Sequence, residues 1–189
     1  MGDFIEDSLK FLDEDPKQRE EPKVRRKRNI PLFAGLAAVI VFLIWIFAPV
    51  RLQADISAYA DTPITVSGLQ DEDFTITPGE LARMKLKKQT VTGKSAKAGT
   101  ITAVGPTMDT FLKQYGKTVA DFKEVKFYAA DNYSVALLET FQQKTIILSL
   151  ANGKEALKDT HQPLRVVVPG EDSSKWIRGV VKIVFIPND

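Results

Sequence analysis

The side chains best suited to chemistry gather near the C-terminus, in "KDTHQPLRVVVPGEDSSKWIRG", Lys158 to Gly179. This stretch holds the chain's only histidine, His161, and a cluster of cations, Lys158, Arg165, Lys175 and Arg178, interrupted by Glu171 and Asp172. An imidazole exchanges protons near neutral pH, yet a lone loop histidine more often sits in a local hydrogen bond than in an active site. The cations therefore carry more of the expectation than His161 does.

Other chemistries are excluded by composition or spacing. The chain has no cysteine, which removes disulfides, thiol nucleophiles and thiolate metal sites together. With a single histidine, a zinc site of the usual nitrogen and sulfur kind cannot be assembled within one chain. Serine hydrolysis would need His161 as base and a nucleophile-elbow motif, which is absent. "GKSAKAG" lacks the spacing and the strand-to-helix context of a phosphate-binding loop. Carboxylate pairs such as Asp71 and Asp73 read as solvated turns. Basic and acidic side chains number 26 and 24, a net charge of +2, so no sustained basic field points to nucleic acid.

The elements that must position these groups follow from patterning. "ITVSGL" and "DFTIT" alternate apolar and polar residues and predict strands. In "TPGEL", Thr77, Pro78 and Glu80 stand as cap, first helical residue and third, a capping-box start, with the helix running through Met84. "KQTVTG" and "GTITAVG" read as two strands joined by a flexible turn. Met108, Phe111, Leu112 and Tyr115 fall at i, i+3, i+4 and i+7, so "TMDTFLKQYG" predicts a helix capped by Thr107 and stopped by Gly116. "VKFYAADNYSVALL" reads as two strands about Asp131-Asn132, and "TIILSLANGK" as a strand ending at Asn152-Gly153. "PLRVVVPG" and "GVVKIVFI" are apolar β-branched runs, and the first, whose valines show no polar alternation, reads as a buried strand ending in a turn. Many short strands with few helices indicate a mainly β, α+β domain.

Ahead of this domain, Ile30 to Val50 carries no charged side chain, a length that spans a bilayer as a helix of about 20 residues. Lys23, Arg25, Arg26, Lys27 and Arg28 precede it, and only Arg51 follows closely. The positive-inside rule then predicts a cytoplasmic N-terminus and an extracytoplasmic remainder. "AYA", Ala58 to Ala60, has the small-x-small form of a signal-peptidase site. The long leading region, the long apolar core and the distance from that core favour an uncleaved anchor. The expected organisation is a charged cytoplasmic tail over 1–29, a transmembrane helix over 30–50, a stem over 51–62 and the domain over 63–189. Within the tail, "DFIEDSLKFL" has helical apolar spacing suited to a partner or to the inner membrane surface.

From Phe74 to Phe185 the order of motifs resembles the oxidoreductase molybdopterin-binding domain, the core fold of the sulfite oxidase family. The matching pieces are "TITPGELARM", "GPTMDTFLKQYG", "VKFYAADNYSVAL", "NGKEAL" and "PLRVVVPG…KWIRGVVKI". The resemblance implies a bacterial protein with a sulfite-oxidase-like fold behind one transmembrane helix. Catalytic members use a cysteine between the early strands as a molybdenum ligand, and here "TVTGKSAKAGTITAVG" offers none; a hydroxyl does not readily replace a thiolate. The resemblance also places Arg165, Lys175 and Arg178 where the family holds the anionic phosphate of its cofactor, and guanidinium forks suit such oxygens. Glu171 and Asp172, in place of a glycine-containing turn, would repel that phosphate.

Together these features predict a membrane-anchored extracytoplasmic module without molybdenum catalysis. It would bind a small anionic ligand, or a partner protein of a membrane complex. No catalytic residue, metal ligand or cofactor is expected, molybdopterin being implied by resemblance alone. Two other readings stay open: an oxidoreductase subunit that still binds a pterin or other redox cofactor, and a spacer whose cytoplasmic tail recruits a partner.

Overall fold

A computed structural model describes Val39 and residues 49–93, 99–138 and 144–188. The tail, and all but Val39, Pro49 and Val50 of the predicted membrane span, lie outside the described residues. Among the described residues no helix is long and apolar enough to cross a membrane.

Alternation along β1 (Ile64–Ser67) buries Ile64 and Val66 and turns Thr65 and Ser67 outward. This strand lies parallel to β12 (Val180–Pro187) and antiparallel to β2 (Phe74–Ile76). On its other side β12 pairs antiparallel with β5 (Phe122–Ala129), which pairs with β6 (Ser134–Leu137) about the Asp131-Asn132 turn. The result is a five-stranded sheet, β2-β1-β12-β5-β6. Asn132 takes the left-handed conformation there, at φ 65°, which asparagine tolerates better than most residues.

A second sheet begins with the hairpin of β3 (Leu86–Thr92) and β4 (Thr100–Pro106), then adds β8 (Ala151–Asn152) and β9 (Glu155–Ala156). Threonine pairs Thr90–Thr102 and Thr92–Thr100 join hydroxyls across the hairpin at 3.0 Å. The third sheet is three-stranded, β11-β10-β7, from β7 (Ile147–Ser149), β10 (Arg165–Val167) and β11 (Ile177–Arg178). Sheets two and three meet where β4 crosses β7. A Cβ at Gly105 would stand 1.8 Å from the Leu148 carbonyl oxygen, so only glycine permits this approach. The buried Ser149 hydroxyl completes the junction, accepting from Val104 N and donating to Ala151 O.

Helix α1 (Pro78–Ala82) starts on the predicted capping box, with Thr77 N donating to Glu80 Oε2 at 2.8 Å and Glu80 N to Thr77 Oγ1 at 3.2 Å. It ends at Ala82, two residues short of the sequence expectation. Helix α2 (Met108–Lys113) is capped by Thr107 and buries Met108, Phe111 and Leu112. Rings link it to the five-stranded sheet: Phe111 lies 6.2 Å from Phe185, and Phe185 5.0 Å from Phe122.

The segment expected to be a stem is part of the folded body. Tyr59, 3% exposed, packs with Ile56 and Leu157 in a small apolar cluster. Its hydroxyl donates to Leu150 O at 2.7 Å and accepts from Leu157 N at 3.0 Å. Gly79 N donates to Ala60 O at 2.8 Å, so the "AYA" sequence lies under α1 and against the second sheet. Aperiodic residues gave no sign of this, because a single buried ring makes no repeat.

Candidate functional site

The antiparallel register of β10 and β11 sets Arg165 directly opposite Arg178, and facing residues of paired strands project to the same side of a sheet. Two like charges there are unfavourable unless something else holds them. Arg165, half-buried, lies 5.8 Å over the Trp176 ring, a cation–π contact that partly replaces lost hydration. Trp176 is itself fixed by its indole N–H, which donates to Val168 O at 3.0 Å. Arg178 is exposed, and its guanidinium reaches His161 Nε2 at 3.3 Å. Neither arginine forms an ion pair among the described residues.

His161 arrives on a single 3-10 turn, Asp159–His161. Its backbone is held on both sides, its N–H donating to Lys158 O at 2.7 Å and its carbonyl accepting from Gly179 N at 3.2 Å. With Lys158, Arg165, Trp176 and Arg178 it lines a cleft of about 490 Å³, to which β9 contributes Glu155. An adjoining hollow of about 340 Å³ shares Trp176 and Arg178 and adds Asp131 and the half-exposed Tyr133. Burial holds the His161 imidazole below its ordinary value, and Arg165, Arg178 and Lys158 push it the same way. Burial, and then Arg178, also lowers Arg165. The cleft is thus a concave cationic surface whose charges disfavour one another.

Of the three residues expected to form an anion cradle, the fold brings Arg165 and Arg178 together. Lys175 is exposed at the end of the 3-10 turn Ser173–Lys175 and does not line the cleft. The carboxylates expected to repel an anion are turned elsewhere. Glu171 pairs with Lys144 at 3.6 Å, and Asp172 accepts from Ser174 N at 3.0 Å. His161, given little weight in the sequence, is inside the site. So is Lys158. The 3-10 turn before β10 and its backbone bond from Gly179 N place them there, and no local spacing announces it.

The fold of this domain, mainly β with three sheets, has counterparts among solved structures. One solved structure of similar fold is the sulfane dehydrogenase SoxCD from Paracoccus pantotrophus, with a TM-score of 0.56 and 18% sequence identity. The match covers 68% of this chain and 39% of that one, so it spans well under half of that protein's length. No family model matches the chain, and no curated protein matches it.

The donor set does not suit a molybdenum centre of the thiolate-ligated kind. The chain contains no cysteine, and the early-strand region is a hairpin closed by Gly93 N donating to Gly99 O at 3.1 Å. Among the described residues no group of three or more histidine or carboxylate side chains could hold a metal ion. The chemistry that the cleft does offer is multidentate donation of N–H groups to an oxyanion.

Proposed function

We propose that this protein is a membrane-anchored extracytoplasmic module, with a molybdopterin-oxidoreductase-like fold, that binds a small oxyanion without performing molybdenum chemistry. One observation carries the reading. Arg165 and Arg178 face the same cleft with His161 and Lys158, and no carboxylate of the described residues pairs with either arginine. Two guanidinium groups are expensive to hold close together when one of them is half-buried, and a phosphate, sulfate or carboxylate group would offset that cost. The apolar segment 30–50 and the basic run before it support the anchor and its orientation. A partner protein presenting an acidic side chain to this cleft is the form the reading would take in a membrane complex.

Calorimetric titration of the detergent-purified full chain with phosphate, sulfate and acetate tests it. Saturable binding that disappears in the Arg165→Ala/Arg178→Ala double variant, with unchanged circular dichroism, is the expected result. Near-stoichiometric molybdenum by elemental analysis, or a pterin mass in the native mass spectrum, would overturn it.

A further inference from the structure

The hydrogen bond between Arg178 and His161 assigns the protonation state of the imidazole. A guanidinium has donors and no acceptor. At 3.3 Å from Arg178 Nη1, His161 Nε2 must therefore be the acceptor. The ring's proton then resides on Nδ1, and the imidazole is neutral. Its surroundings favour this. Arg178 faces it from β11, Arg165 from β10 and Lys158 from the start of its own turn. Of the nearby carboxylates, Glu155 lines the cleft from β9, while Asp159 accepts from Gln162 Nε2 at 3.2 Å.

We propose that the cleft takes up its oxyanion together with one proton, His161 changing from acceptor of the Arg178 guanidinium into a third cationic donor to the ligand. This rests on the anion-binding reading above. An oxyanion accepting from Arg165 and Arg178 draws the Arg178 N–H away from Nε2 and frees that lone pair. The anion's charge also compensates the cations that oppose an imidazolium. A solvent proton then bonds to Nε2, with no other bond formed or broken in the protein. By linkage, a site that gains a proton on binding holds its ligand more tightly as pH falls through the bound-state value.

His161 is the only histidine, so imidazole resonances of the tag-free full chain report it alone. Sulfate is the probe, because it keeps its charge throughout the range where histidine titrates. Without sulfate, nitrogen shifts should show an Nδ1–H tautomer titrating below the ordinary histidine value. Saturating sulfate should raise that midpoint by about one unit, equivalent to about tenfold tighter binding at about pH 5 than at about pH 8. Calorimetry in two buffers of different ionisation heat should show proton uptake. His161→Gln should bind sulfate with a flat pH profile. Sulfate binding with an unmoved midpoint and no proton uptake would overturn this inference and leave the anion reading intact. An Nε2–H tautomer in the free chain would overturn it equally. Absence of sulfate binding at every pH would overturn both.

Discussion

Arg165 and Arg178 stand opposite one another on antiparallel β10 and β11, and among the described residues neither has a carboxylate ion-pair partner. Like charges placed directly across a strand pair destabilise it. A surface shaped only for stability would not retain both. The expectation is that Arg178→Gln stabilises the ligand-free chain by on the order of a few tenths of a kcal/mol while weakening sulfate binding. Urea denaturation and calorimetry on the same preparation check the two directions.

Trp176 supports Arg165 through its ring face and is anchored through its N–H to Val168 O at 3.0 Å. Trp176→Phe keeps an aromatic face and removes that bond, leaving Val168 O to accept from Glu171 N alone, at 3.2 Å. A loss of about 0.5–1.5 kcal/mol is expected, measured by chemical denaturation, with anion affinity falling less than in Arg165→Ala.

Tyr59 joins the segment before β1 to the residues flanking β8 and β9 through two hydrogen bonds, to Leu150 O and from Leu157 N. Tyr59→Phe removes both bonds and strands two buried backbone groups, and should cost about 2–3 kcal/mol in denaturant unfolding. If residues 51–62 were a solvated stem, the substitution would have no measurable effect.

His161 binds its proton less readily in the folded chain than in the unfolded one, because burial and the neighbouring cations disfavour the imidazolium. Its contribution to stability is complete above the unfolded value of about 6.5. That contribution is lost as pH falls through the depressed folded value. Between about pH 7 and about pH 5, in buffers free of binding anions, the melting temperature of the native chain should drop more steeply than that of His161→Gln. Asp55 and Asp121 do not enter this window. Hydrogen bonds from Ser57 and Thr118 hold their carboxyls low, so their contributions fade only below about pH 3.9.

Local elements were legible wherever a side chain's role depends on its near neighbours. Thr77 and Glu80 announce α1 because a capping box closes within three residues. The i, i+3, i+4 pattern of Met108, Phe111 and Leu112 gave α2 and its buried face. Its fourth member, Tyr115, falls in the turn after the helix, where it meets Phe74 at 5.0 Å. "TIILSLANGK" read as one strand, whereas the structure divides it between β7 (Ile147–Ser149) and β8 (Ala151–Asn152) in two sheets, with Ile147, Leu148 and Leu150 fully enclosed.

Periodicity, capping and composition thus determined a mainly β, α+β domain, its helix starts and the absence of any thiolate chemistry, since each depends on residue type or near spacing. Only tertiary structure decided which charges share a cleft. The β10–β11 register puts Arg178 opposite Arg165, and the 3-10 turn swings His161 onto Arg178. Lys175, three residues from Arg178 in sequence, is exposed and does not line the cleft all the same. The physical reason is that strand pairing converts long separations into contacts of a few ångströms, and its register is set by the whole buried core.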